Sequence, residues 1–304
     1  MTIAIGAPKT SLKHPPGRFI NANGAKLWVE TEGDGEPLLL IAGGPGFSHS
    51  YFHPFHSALA NNYRLIYFDV LGTGRSDRAQ PAADYTVDRD VENIEALRAA
   101  LQLERLNIFG HSYGGMVAQV YAVKHPDRVK KLIIADAVVA WGGALQQIQD
   151  HLNELLREQM PERAEKLDAL RATGVRSSAK EHQEAYEYPG GMVFFRNPEN
   201  GSKLPRNEPQ LYNPDVWYAM AGNDADYKVE GDVAHLDVRA ALKELKMPIL
   251  VIGGRFDRMV PPALVMAFRE YAPQAEIVIF EKSGHFPFVE EPEATFALIR
   301  KFLD

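Results

Sequence analysis

Three residues far apart in this chain have the types and neighbours that nucleophilic acyl chemistry needs. Ser112 lies in Gly110-His111-Ser112-Tyr113-Gly114, Asp257 in Gly254-Arg255-Phe256-Asp257, and His285 in Ser283-Gly284-His285. A serine hydroxyl is a poor nucleophile until a base removes its proton during attack, and an imidazole can do that. The imidazole must be held in one tautomer, which a carboxylate accepting from its other nitrogen achieves. Asp136 is the rival for the carboxylate role, since it also follows an apolar run. Attack on a carbonyl builds negative charge that backbone N–H groups can meet. Gly43-Gly44-Pro45-Gly46 can neither continue a strand nor start a helix, so its N–H groups are uncovered. The oxyanion donors expected on this pattern are the N–H groups of Gly44 and Tyr113.

Residues so distant must be brought together by regular elements. Leu106 to Phe109 reads as a short buried strand, and an alanine-rich segment of helical period follows Gly114 directly. A turn that tight holds the serine in a strained conformation, and a Cβ two residues to either side would strike the neighbouring strand or helix. The helix N-terminus then faces the developing charge. Before it, Asn23-Gly24 separates Phe19-Ile20 from Leu27-Trp28-Val29, as in a hairpin. Pro37–Ala42, Tyr63–Phe68, Lys131–Ala135, Pro248–Gly254 and Glu276–Phe280 read as further strands. Val91, Ile94, Leu97 and Leu101 mark one face of a helix over Val87–Leu103, and Glu293–Leu303 is a closing amphipathic helix. This alternation predicts an α/β fold with a mostly parallel sheet and helices on both faces. Each singled-out polar residue follows a strand's C-terminal end, where open α/β sheets carry their sites.

Between the strands the character changes. Residues 139–245 contain no long apolar strand, but amphipathic pieces (Ile148, Leu152, Leu155, Leu156) and then aromatics, Tyr186, Tyr188, Phe194, Phe195, Tyr212 and Trp217. They read as an inserted, mainly helical lid between core segments 1–138 and 246–304. Residues 1–17 read as a polar arm on the surface. The loop from Asp69 to Asp77 has a G-x-G but no phosphate-binding continuation, so it reads as structural. His49, His53 and His56 invite a metal reading; no suitably spaced acidic partner completes a site in the sequence, so a pocket rim or surface is expected instead, with no metal and no cofactor.

The chain has 304 residues, 45% of them hydrophobic, with a net charge of -7 and no cysteine. The charge disfavours nucleic acid and anionic membranes as partners. The lack of cysteine excludes disulfides, thiolate catalysis and zinc–thiolate sites. No signal-like or membrane-length apolar run occurs, so a cytoplasmic protein acting on a small molecule or short peptide is expected.

With these motifs in view, the chain resembles the α/β-hydrolase superfamily over nearly its whole length, including the order Ser112, Asp257, His285. Within it, the likeness is to proline iminopeptidases and related amino-acid amidases. Gly43-Gly44-Pro45-Gly46 is similar to the H-G-G-P-G signature of that family, with Ala42 in place of histidine. Asp69-x-x-Gly72-x-Gly74-x-Ser76 is similar to its D-x-x-G-x-G-x-S element, with Leu71 where many members have arginine. The resemblance implies removal of an N-terminal residue, typically proline, with acidic lid side chains holding the free amine. Asp224, Asp226 and Glu230 are the candidates for that role. Hydrolysis of a neutral ester, a lactone or a carbon–carbon bond by the same residues is the alternative, and a non-enzymatic small-molecule receptor is the remote one.

Overall fold

In a computed structural model, residues 13–139, 142–186, 190–205, 208 and 210–304 are described. Tyr188, expected in the lid, lies outside them. Among the described residues, eight strands form one sheet: β1 (Gly17–Ala22), β2 (Ala25–Glu32), β3 (Glu36–Ile41), β4 (Tyr63–Phe68), β5 (Leu106–His111), β6 (Val129–Ala135), β7 (Ile249–Gly254) and β8 (Glu276–Phe280). Their order is β1-β2-β4-β3-β5-β6-β7-β8. β1 and β2 pair antiparallel through Ala22 and Ala25. The two residues between them, Asn23 and Gly24, both have positive φ, the geometry that lets a two-residue hairpin follow the strand twist. β2 joins β4 antiparallel, and every later pairing is parallel.

Leu38 to Ile41 and all of β5 are buried, as expected of parallel strands covered on both faces. Helix α1 (Val87–Ala100) buries Val91, Ile94 and Leu97. It starts where the Thr86 side chain accepts from the Arg89 N–H at 3.0 Å, an N-cap. It stops short of the expected Leu103, because Gln102 takes a positive φ. Helix α2 (Tyr113–Lys124) follows β5 with only Ser112 between them.

The topology decides where a site can form. From β3 the chain crosses to β4 on one side, and from β4 it returns to β5 on the other side of β3. The loops leaving the C-terminal ends of β3 and β5 therefore diverge, and such a switch point opens a crevice. Gly43–Gly46 leaves one strand and Ser112 the other.

Between β6 and β7 the described residues add no strand to the sheet. They form α3 (Gly142–Gln159), α4 (Pro161–Ala172), α5 (Lys180–Ala185), α6 (Gly190–Phe194), α7 (Pro214–Ala221) and shorter turns. Ile148, Leu152 and Leu156 face inward from α3. Residues 211–213 are laced to the turn after β3. Ser48 N–H donates to Leu211 O at 2.9 Å, and Asn213 N–H to Gly46 O at 2.9 Å. Among the described residues, no helix is long and apolar enough to cross a membrane.

The polar arm is not a surface strand of chain throughout. Gly17 already belongs to β1, and His14 is inserted against Glu30 at 2.9 Å. Residues 1–12 lie outside the described part. The Asp69–Asp77 loop is structural, as its sequence suggests. Asp69 accepts from the N–H groups of His49 (3.1 Å) and Arg75 (2.9 Å). A Cβ on Gly74 would sit 2.0 Å from the Asp69 carboxylate.

Candidate active site

Ser112 has φ 54 and ψ -120, a region that non-glycine residues enter only when surrounding structure holds them there. Two glycines make the hold possible. A Cβ on Gly110 would lie 2.2 Å from Gly114 O, and one on Gly114 would lie 2.1 Å from Ile41 O. The half-buried serine side chain opens into a cavity of about 400 Å³. Gly44 and His285 line the same cavity. Tyr113 opens helix α2, so its N–H belongs to the helix end that favours negative charge.

His285 Nδ1 lies 2.8 Å from Asp257 Oδ2, with both residues buried. The other oxygen of Asp257 accepts from Met259 N–H (2.8 Å) and Val260 N–H (2.9 Å). The histidine loop is pinned by the insertion. His285 N–H donates to Phe194 O at 2.7 Å. Glu290 accepts from Gly284 N–H (2.6 Å) and from Arg196 and Asn197 N–H (both 3.1 Å).

Asp136 is close by; one ligand-type atom from each of Asp136, Asp257 and His285 fits within a 4.8 Å span. Yet the carboxylate on the imidazole is Asp257. Burial, then the neighbouring Asp257 charge, pushes Asp136 well above the usual carboxylate range, against one hydrogen bond from Gly254 N–H. Asp136 thus carries no imidazole, and burial disfavours its charged form.

A second chain of contacts escaped the sequence reading. Gly43 N–H donates to Tyr51 Oη at 2.6 Å, and Tyr51 lies 2.9 Å from His111 Nδ1. His111 Nε2 lies 2.8 Å from His285 O. A carbonyl only accepts, so Nε2 carries the proton and Nδ1 accepts from the tyrosine. Burial, then the nearby His285, holds His111 well below the usual imidazole range, consistent with that neutral tautomer. Gly43 thereby spends its N–H on the scaffold. Only the position of His111 inside the Ser112 motif could have suggested this role.

Of the three lid acids, the cavity takes one. Asp226 lines it, accepting from Trp217 Nε1–H (3.1 Å) and Tyr218 O–H (2.9 Å). Burial raises its pKa to about 6, against those two hydrogen bonds. Asp224 faces away, held by Arg171 Nη2–H at 2.9 Å and paired with Arg176. Glu230 is exposed and paired with Lys228. Neither lines the cavity, so the amine-binding expectation for both is corrected: each is neutralised by a nearby cation. The remaining wall is mostly aromatic and aliphatic, with Gln149 on α3 a further polar group.

The expectation of a pocket rim or surface for the three histidines is also corrected. His49, His53 and His56 are buried and none lines the cavity. His56 packs among Phe52, Phe109, Phe288 and Phe296, and burial pushes it down to about 3. His49 and His53 face Glu30, an acid on β2 whose proximity no sequence spacing shows.

Residues 36–292 match the family model described as alpha/beta hydrolase fold. The chain belongs to this family. It is 30% identical to a proline iminopeptidase of Heyndrickxia coagulans over 289 residues, 94% of this chain and 98% of the relative. Among solved structures, it is similar to the proline iminopeptidase of Mycobacterium smegmatis, with a TM-score of 0.73 and 23% identity. That match covers 95% of this chain and 97% of the other. It is also similar to an esterase from Exiguobacterium antarcticum, with a TM-score of 0.65 and 23% identity over 95% and 100% of the two chains. This α/β-hydrolase is thus proline iminopeptidase-like in sequence over nearly its whole length, and its coarse activity is that of a hydrolase.

Proposed function

We propose that this α/β-hydrolase is a serine aminopeptidase or amidase that releases an N-terminal residue, with proline the first candidate. Ser112 attacks the carbonyl, His285 takes the serine proton and passes it to the leaving amine, and Asp257 holds the imidazole tautomer. Gly44 and Tyr113 N–H groups receive the oxyanion. Tyr113 is fixed for this task by its own side chain, which donates to Asp90 Oδ2 at 2.6 Å. The carrying observation for the substrate is Asp226, a buried carboxylate on the aromatic wall of the cavity that holds Ser112 and His285. An ammonium entering a largely dry pocket needs such a counter-charge. The relatives named proline iminopeptidase support the same reading.

One observation favours hydrolysis of a neutral ester instead. Both Asp226 oxygens already accept hydrogen bonds from the protein, and its raised pKa leaves it partly neutral near pH 6. A panel of proline β-naphthylamide, other aminoacyl amides, their N-acetyl forms and short acyl p-nitrophenyl esters separates the two. Faster turnover of free-amine substrates than of their N-acetyl forms is the expected result. Equal rates would overturn the aminopeptidase reading and leave the esterase one.

A further inference from the structure

We propose that this protein holds a structural divalent cation of the zinc type, away from the Ser112 cavity, on His14, Glu30, His49 and His53. One ligand-type atom from each of these four residues falls within a 4.8 Å span. Three imidazole nitrogens surround a single carboxylate oxygen. From Glu30 Oε2, His14 Nδ1 is 2.9 Å away, His49 Nε2 3.1 Å and His53 Nε2 3.4 Å. Zinc–nitrogen and zinc–oxygen bonds of about 2.0–2.1 Å place tetrahedral ligands about 3.3 Å apart. The three oxygen–nitrogen distances bracket that value, and all four atoms lie within 4.8 Å of one another.

Hydrogen bonding alone leaves this cluster unsatisfied. His49 Nε2 and His53 Nε2 are buried with no hydrogen-bond partner, although the Glu30 oxygen lies within reach. Buried polar atoms are seldom left so. One oxygen offers about two lone-pair sites, and three rings compete for it, while Trp28 Nε1–H takes the other oxygen at 2.8 Å. A cation at the centre gives every one of these atoms a partner.

The outer contacts match as well. A metal-bound histidine usually donates its second ring N–H to a carboxylate, which sets the tautomer and orients the ring. His49 Nδ1 lies 2.8 Å from Asp69 Oδ1, leaving Nε2 for the metal. His14 Nε2 lies 2.8 Å from Glu208 Oε2, leaving Nδ1 for it. Three nitrogens and one carboxylate oxygen suit zinc better than magnesium or calcium. The ion would join four parts of the chain: the segment before β1, β2, the turn after Gly43–Gly46, and, through Glu208, the insertion. It would act as a staple and take no part in acyl chemistry.

The test uses untagged full-length protein, stripped with a chelator, dialysed and titrated with zinc chloride. One equivalent should bind with saturation, and Tm should rise in step with occupancy. Cobalt(II) in its place should give the strong visible bands of a four-coordinate site. His14→Ala should weaken zinc binding at least about tenfold and abolish the rise in Tm on adding zinc. Glu208→Gln, which touches no metal, should weaken it by about 10–100-fold. Because the readout is the change on adding zinc, a lower starting Tm in a variant does not disturb it. Absence of one-equivalent binding would overturn the proposal. So would equal binding and an equal Tm rise in wild type, His14→Ala and His53→Gln, which would mean zinc held by exposed groups only.

Discussion

Replacing Asp226 by asparagine tests amine recognition at one atom. Asparagine keeps the side-chain shape, and its carbonyl can still accept from Trp217. The Tyr218 hydroxyl, now 2.9 Å from an oxygen, can rotate to accept from the new amide. The local fold should therefore survive, and what is lost is the charge. A charge-assisted hydrogen bond is worth about 1.5–3 kcal/mol, so kcat/KM for proline β-naphthylamide should fall by about tenfold to over a hundredfold. A short acyl p-nitrophenyl ester, which has no amine, should lose less than about threefold. The pH profile gives an independent check. With a pKa of about 6, the wild-type carboxylate is about 99% ionised at pH 8 and only about one-tenth ionised at pH 5. The ratio of amide to ester kcat/KM should therefore drop by about tenfold between those pH values, and the ratio cancels effects on Ser112 and His285 that both substrates share. Asp226→Asn should flatten that ratio. An equal loss on both substrates would show that Asp226 supports the insertion rather than binding an amine. No loss on either would remove it from the site.

Other predictions follow from the same geometry. Ser112→Ala should lower kcat by about 10⁴–10⁶-fold. Ser112→Gly should be equally inactive but more stable than Ser112→Ala by about 1 kcal/mol in urea unfolding, because glycine relieves the strain at φ 54; equal stability would refute the strain. Asp257→Asn should cost about 10⁴ in kcat. Asp136→Asn should cost less than about tenfold, since Asp136 accepts from Gly254 N–H while the imidazole sits on Asp257; the opposite ranking would place the catalytic acid just after β6. Burial raises the pKa of Asp90 to about 7, opposed by its hydrogen bond from Tyr113. Between about pH 4 and pH 7 the folded state then keeps a proton that the unfolded chain has released, so this group's contribution is complete at low pH and is lost as pH rises. Asp90→Asn should lessen that decline in the urea midpoint, and an unchanged slope from pH 4 to 8 would refute the assignment.

Much of the architecture could be read from the residues because it follows from short-range sterics. Only glycine fits at 110 and 114 around a tight strand-to-helix turn, and Asn23-Gly24 suits a two-residue hairpin wherever it occurs. Continuous apolar runs such as Leu38–Ile41 mark strands buried on both faces without any knowledge of their neighbours. The chain order Ser112, Asp257, His285 likewise needed only the strand ends that carry them. What the tertiary structure alone decided are matters of burial and charge pairing between distant segments. Asp224, Asp226 and Glu230 are equivalent as letters. Arg171 and Lys228 neutralise two of them, and the aromatic wall of the cavity receives the third. Asp136 and Asp257 both follow strands and both are buried, yet only Asp257 is seated on His285 Nδ1, at 2.8 Å. The convergence of His14, His49 and His53 on Glu30 crosses three separate segments. Local spacing reports only what a few residues can touch, whereas solvent exclusion and Coulomb interaction depend on which remote segments the sheet order brings together.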